Sequence, residues 1–255
     1  VTQLLLGALS GSGVGFTLGL VGGGGSILAV PLMVYVVGVA NPHVAIGTSA
    51  LAVAANAGGN LIAHARAGTV KWRCAALYAG TGVVGALGGS TLGKQIDGQR
   101  LLALFALVMV AVGVLMLRGR GNAGDPGADC NRDNAPRVLG YGFGTGAVSG
   151  FFGIGGGFLI VPGLIASTGM PMLNAVGSSL VAVTAFGVTT AVNYALSGWI
   201  DWPLAAIFVC GGVMGGVAGV AAARRLSDTT GRLRTLFACL VFTVAGYILW
   251  RSTGR

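Results

Sequence analysis

The sequence predicts an all-α integral membrane protein, a polytopic helical bundle of two homologous, inverted repeats with Gly-rich broken helices or re-entrant hairpins. Three observations carry that expectation. The 255 residues include only 15 Lys or Arg and 6 Asp, with no Glu, against 54% apolar residues and 48 Gly. At 8% charge the chain could not cover itself in water, where a soluble domain carries about 25%. The few charges leave long charge-free runs, and the pattern of those runs occurs twice. A soluble enzyme, a disordered chain and a nucleic-acid-binding domain are excluded despite the net charge of +9. The glycines follow no three-residue period, which removes collagen.

The elements follow in order. Residues 1–65 contain no Lys, Arg, Asp or Glu, and about 20 residues make one crossing, so the run holds up to three segments. They are predicted near 3–20, 26–39 and 44–64, the first two divided by a glycine run. The charge-free stretches 74–93 and 101–117 supply a fourth and a fifth. Leu101–Leu117 (LLALFALVMVAVGVLML) is apolar on every face, which a barrel strand alternating about every second residue is not. Helices are then the way to satisfy the backbone in lipid. The run 138–200 repeats the first, with segments near 138–152, 158–168 and 174–196. Segments near 203–223 and 234–250 close the second half. Trp72, Trp199, Trp202 and Trp250 all fall at segment edges, where an aromatic belt belongs.

At an offset of about 130 residues the halves align. Gly15–Pro31 (GFTLGLVGGGGSILAVP) matches Gly146–Pro162 (GAVSGFFGIGGGFLIVP), Ala45–Ser49 matches Ala175–Ser179, and Gly68–Trp72 matches Gly198–Trp202. Between them, Gly119–Pro136 is rich in Gly, Asp, Asn and Pro and reads as a solvated linker. The expected organisation is a first membrane repeat over 1–118, a polar cytoplasmic linker over 119–137 and a second repeat over 138–255.

The second segment of each half is short. It forms a re-entrant hairpin with the first, makes a separate crossing, or continues it as one broken span. If the pair returns the chain to the side it left, eleven cations share one side: Arg66, Lys71, Arg73, Arg118, Arg120, Arg132, Arg137, Arg224, Arg225, Arg232 and Arg234. Only Lys94, Arg100, Arg251 and Arg255 take the other. A single broken span divides the cations far more evenly. The positive-inside rule therefore selects returning pairs, inverted repeats and termini outside the cytoplasm. Interrupted helices in inverted repeats characterise many secondary transporters. The N-terminus has no basic region, so no secretory signal is expected.

The strongest chemical signal is the pair of glycine junctions, Gly22–Ser26 and Gly153–Gly157. Glycine lets a backbone turn sharply and approach a ligand closely. The segment that follows opens with free N–H groups and a positive dipole end, which favour an anion. Gly23, Gly24, Gly25, Ser26, Gly155, Gly156 and Gly157 are therefore candidate substrate contacts, with close helix packing as the competing reading. No βαβ unit or acidic partner accompanies the glycines, so they are not a dinucleotide fingerprint, and no ATP-binding P-loop is present.

These junctions carry a resemblance. Val21–Pro31 (VGGGGSILAVP) and Phe152–Pro162 (FGIGGGFLIVP), with Asn41–Leu51 (NPHVAIGTSAL), Met170–Leu180 (MPMLNAVGSSL) and the basic loop Ala65–Trp72 (ARAGTVKW), resemble the twice-repeated signature of the sulfite exporter TauE/SafE family, also called the 4-toluene sulfonate uptake permease family. The resemblance covers nearly the whole chain outside the linker. It implies a multi-spanning carrier for sulfite, organosulfonates or related sulfur oxyanions. Where the second half has Phe152-Gly-Ile, the first has Val21-Gly-Gly, so unequal contributions from the two junctions are expected.

The third segment of each half adds polar groups. Thr48, Asn56, Asn60 and His64 recur at multiples of four and share a helix face. Ser178, Thr190 and Tyr194 form the matching face, with Asn193, Thr189 and Ser197 beside it, while Ser49 and Ser179 adjoin the first positions. A cavity wall donating to an oxyanion is one reading, and interhelical hydrogen bonding is the other. His64 is either a substrate or proton contact or an interfacial residue. His43 is expected in a short loop with a structural role. No carboxylate lies inside a predicted span, which argues against cation sites.

Cys74, Cys130, Cys210 and Cys239 show no CxxC pair and no repeat symmetry, so free thiols are expected, Cys130 in a reducing compartment. No metal site and no cofactor are expected. Gly7, Gly11, Gly15, Gly19, Gly142, Gly146, Gly150, Gly211, Gly215 and Gly219 stand at spacing four and are expected to seat helices closely.

The leading expectation is a secondary transporter for a sulfur-containing anion. A passive anion channel, a transition-metal permease and, in a different class, a thiol oxidoreductase with cysteines on facing helices are the alternatives. Expected partners are a small anionic substrate and the lipid bilayer, not nucleic acid. A coupling proton or other ion and a homo-oligomer are left open. The expected location is the cell membrane, as a multi-pass protein of a bacterial inner membrane.

Overall fold

The computed structural model describes residues 2–118, 125, 127–128, 130–131, 134–226 and 246. The expected segment over 234–250 lies almost wholly outside them. The described elements are α1 (Thr2–Val21), a broken segment, then α3 (Pro42–Arg66), α4 (Trp72–Gly93) and α5 (Gly98–Arg118). The broken segment runs as 3-10 turns over Gly22–Leu28, a single turn α2 (Ala29–Pro31) and π turns over Leu32–Val36. The second half holds α6 (Ala135–Phe152), α7 (Gly157–Thr168), α8 (Met172–Ala195) and α9 (Trp202–Leu226). Among the described residues no strand occurs. Among the described residues four helices are long and apolar enough to cross a membrane: Thr2–Leu20, Pro42–Arg66, Met172–Ala195 and Trp202–Ala222.

Glycine dictates how these helices pair. A Cβ at Gly11, Gly15 or Gly19 of α1 would strike the backbone at Phe208, Gly212 or Gly216 of α9. A Cβ at Gly142, Gly146 or Gly150 of α6 would strike Tyr78, Gly82 or Ala86 of α4 in the same way. With no side chain between them, the backbones touch, as small-residue steps permit. Each contact in one pair has its counterpart about 130 residues away in the other, with the halves exchanged. Phe186 of α8 fills the space beside Gly82, and Asn56 of α3 fills the matching space beside Gly212.

Direction follows from the same contacts. Along α1 and α9 both numbers rise together, from Gly7 against Leu204 to Gly19 against Gly216, so the two run parallel. Asn56 at Gly212 and Asn60 at Gly216 make α3 parallel to α9, and hence to α1. The chain therefore returns across its own path between α1 and α3, and the single broken span is excluded. Helices α3 and α8 are repeat counterparts, and they run antiparallel. The start of α3 meets the end of α8, with Thr48 Oγ1 accepting the Asp201 N–H at 3.0 Å. The start of α8 meets the end of α3, with Ser178 Oγ accepting the Lys71 N–H at 2.9 Å. Antiparallel counterparts place the two-fold axis across the helices, so the repeats are inverted.

The linker departs from expectation. Its described part is pinned rather than merely solvated: Ala128 and Cys130 are buried, and the Asp125 N–H donates to the Gly169 carbonyl at 2.9 Å. Cys130 forms a disulfide with Cys74 in the first turn of α4, their Cα atoms 5.3 Å apart. Free thiols were expected at both. The spacing of 56 residues hid the proximity, which arises because the linker folds back over the start of α4. Cys210 is free, as expected, and Cys239 lies outside the described residues.

Candidate functional site

The second junction lies at the middle of the α3–α8 pair, and the 3-10 segment of the first packs against α7 and α8. In the second, α6 ends on Gly153 at φ +65°, Gly155 and Gly156 follow at +66° and +62°, and α7 opens at Gly157. Three left-handed positions in four residues demand glycine and let the chain reverse within a short stretch. A Cβ at Gly155 would lie 3.0 Å from Val53 and 3.3 Å from Val183, near the midpoints of α3 and α8. The first junction takes a different path. Its 3-10 turn packs against α7, and Gly25 lies on the backbone of Thr17 and Leu18, where a Cβ would collide. Ser26 is fully buried beside it. The second junction turns on left-handed glycines and the first runs as 3-10 turns, so the two are unequal, as the Val21-Gly-Gly departure suggested.

α7 has twelve residues, about 18 Å of helix, and so crosses only part of a membrane. Its N-cap is Gly156, which has no side chain to cap the first amides. The Gly156 carbonyl accepts the N–H groups of Leu159 at 2.9 Å and Ile160 at 3.1 Å. The amides of Gly157 and Phe158 precede these first bonds and have no carbonyl within the helix. Beside them is Ser149 of α6, fully buried, its hydroxyl without a hydrogen-bond partner. A Cβ at Gly156 would come within 2.5 Å of Ser149 Oγ. Sequence reasoning passed over Ser149. The repeat alignment contained the signal, because the matching position is Leu18.

The other candidates divide among separate places. Thr48 and Ser178 hold the loops at opposite ends of the α3–α8 pair, and Ser49 and Ser179 donate to the carbonyls of Ile46 at 3.0 Å and Val176 at 2.7 Å. Asn56 and Asn60 point at Gly212 and Gly216 of α9, and both amide atoms of Asn56 are buried without a partner. His64 lies in the last turn of α3, its Nδ1 3.0 Å from Thr69 Oγ1. Thr190 is buried with its hydroxyl unmatched.

Asn193 and Tyr194 belong to the opposite end. Lys94 Nζ donates to Asn193 Oδ1 at 2.8 Å, to the Asn193 carbonyl at 3.2 Å and to Ser197 Oγ at 2.9 Å. Asn193 Nδ2 in turn donates to Ser90 Oγ at 2.6 Å. Tyr194 is buried with its hydroxyl unpartnered, and Lys94 Nζ lies 6.0 Å from its ring centre. His43 stands in the first turn of α3 rather than in a loop, stacked on Trp199 with ring centres 4.8 Å apart.

Comparison with known proteins places the chain among membrane transporters. Residues 7–248 match the family described as "Sulfite exporter TauE/SafE". The chain is 53% identical over 260 residues to a probable membrane transporter protein of Xylella fastidiosa strain 9a5c, covering 99% of this chain and 97% of that protein. It is 26% identical to the probable membrane transporter protein YunE of Bacillus subtilis strain 168, over 90% of each chain. To the probable membrane transporter protein MJ0441 of Methanocaldococcus jannaschii it is 27% identical over 190 residues, 71% of this chain and 70% of that one. No solved structure matches.

Proposed function

The chain belongs to the sulfite exporter TauE/SafE family and is a multi-pass membrane transporter, and on that premise we propose that it moves sulfite, an organosulfonate or a related small sulfur oxyanion across a bacterial inner membrane as a secondary carrier. One observation carries the reading. The left-handed glycine junction reaches the midpoints of α3 and α8, where the start of a half-length helix offers amides to an anion far from either membrane face. The inverted two-fold supports alternation, since exchanging the conformations of the two repeats turns an access path on one side into one on the other. The residues 138–200 and 44–63 contain no charged side chain of either sign, so a cation would find no carboxylate there. In this reading the substrate lies between the junctions, with the polar groups of α3 and α8 flanking its route.

Uptake of labelled sulfite and methanesulfonate into proteoliposomes holding the purified chain tests the reading, with and without a pH gradient. Saturable uptake and counterflow support a carrier. Flux that does not saturate and shows no counterflow would replace it with the passive channel. Uptake no greater than in empty liposomes for both anions removes the sulfur-oxyanion reading.

A further inference from the structure

We infer that Ser149, with the amides of Gly157 and Phe158, forms a one-sided half-site that takes singly charged oxyanions, an inference that rests on the anion-carrier reading above. Three observations converge on one locus. Gly156 caps α7 without a side chain, so the position from which a Ser or Asp would reach the first amides is vacant of any capping group. Ser149 Oγ borders that position, fully buried and unpartnered. A buried hydroxyl without a partner is costly, and more so where no water can replace one. One oxygen-rich ligand resolves all three, accepting from the serine O–H and the two N–H groups.

The chemistry of the donors sets the charge of the ligand. All three are neutral, and the positive end of α7 adds only about half an elementary charge. No Lys, Arg or His occurs between residues 138 and 200, and none between 44 and 63, while Lys94, just past the end of α4, gives its amine to Asn193 and Ser197. The cost of bringing an ion out of water grows with the square of its charge, about fourfold from a monoanion to a dianion. Neutral donors therefore accept hydrogensulfite or a sulfonate and reject sulfate and the sulfite dianion. The half-site is also single. Its counterpart in the first repeat has Leu18 in place of Ser149 and 3-10 turns over Gly22–Leu28, so one anion binds per transport cycle rather than two.

The full chain in proteoliposomes, at equal pH on both sides, gives the test. Labelled methanesulfonate, a permanent monoanion, is the probe, and unlabelled sulfate is the competitor. Ser149→Ala should raise the half-saturating methanesulfonate concentration about tenfold. It should also shrink the rise in melting temperature that methanesulfonate gives in detergent, without lowering the unliganded melting temperature. Ser167→Ala, on α7 with a hydroxyl already bonded to the Leu164 carbonyl, should leave both readouts unchanged. Excess sulfate should compete at least tenfold less well than unlabelled methanesulfonate. Sulfite uptake should rise as the common pH falls and the monoanion grows. If the parent chain transports and Ser149→Ala behaves like it, the half-site is wrong while the carrier reading stands. If sulfate competes equally, selection by charge is wrong. If the parent neither transports nor binds methanesulfonate or sulfite, the carrier reading and this inference fall together.

Discussion

Thr48 of α3 accepts the backbone N–H of Asp201 through its hydroxyl oxygen at 3.0 Å, and Ser178 and Lys71 repeat the bond with the halves exchanged at 2.9 Å. Each hydroxyl fixes the loop that leads from one counterpart helix into the next span. Thr48→Val and Ser178→Ala each leave a loop N–H unmatched. We expect each to cost about 1–2 kcal/mol of stability. The losses should add in the double variant, since the two bonds lie at opposite ends of the helix pair. Reversible thermal or denaturant unfolding in detergent reads both effects.

Gly144 and Gly146 stand two residues apart on α6 and should answer a methyl group in opposite ways. A Cβ at Gly144 meets nothing within 4 Å, whereas one at Gly146 meets the Gly82 carbonyl. Gly144→Ala should stabilise the helix by up to about 1 kcal/mol. Gly146→Ala should force α4 and α6 apart and lower the yield of folded protein. Size-exclusion profiles and melting temperatures of the two variants make the comparison.

The Cys74–Cys130 disulfide closes a loop of 56 residues. The chain-entropy estimate for a loop of that length is about 4 kcal/mol. Cys74→Ser, or reduction of the parent, should lower stability by up to that amount and release the linker from the start of α4. Thiol counting on denatured protein, before and after reductant, should show two additional reactive thiols after it. Equal counts would mean that the pair is reduced as isolated.

Asn56 tests whether the α3 face contributes to the substrate route. Both of its amide atoms are buried without partners against Gly212, an arrangement that costs stability when the site is empty. Asn56→Leu should therefore raise the unliganded melting temperature. If the amide donates to the anion in some stage of transport, the same variant should lose roughly ten- to a hundredfold in affinity. Unchanged uptake with raised stability would make Asn56 a packing residue.

The distribution of cations puts the α3–α4 loop in the cytoplasm, whereas the Cys74–Cys130 disulfide at the start of α4 fits an oxidising side, and labelling decides between them. A cysteine at Ala67 and one at Gln99, both exposed, should be labelled from opposite faces, Ala67 from the cytoplasm. Labelling from the same side would mean that α4 does not cross between them.

Most of the architecture was legible because lipid leaves a chain few options. Charge-free runs of helix length, a repeat at 130 residues and the asymmetry of Lys and Arg led to paired, inverted repeats, and the returning chain between α1 and α3 agrees. The glycines at spacing four were readable for a similar reason, since nothing else explains so many of them within helices. What the sequence hid depends on distant contact. Cys74 and Cys130 look unrelated until the linker folds over α4, and Ser149 is one small residue among several until Gly156 is placed against it. The α3 face, read either as a cavity wall or as interhelical hydrogen bonding, divides: packing turns Asn56 and Asn60 toward α9 while Thr48 and His64 engage loops at its two ends.

The pairing of α1 with α9 also sets a timetable for biogenesis. Ser12 of α1 donates to the Gly211 carbonyl 199 residues later, and the steps at Gly11, Gly15 and Gly19 rest on α9. At about 5–20 residues per second, α1 leaves the ribosome roughly 10–40 s before its partner exists. During that interval its bare backbone faces lipid or an insertion factor, and the first repeat is a fragment with an open seam. The α4–α6 seam closes much sooner, so the molecule assembles from its centre outward and its first helix is among the last to be locked.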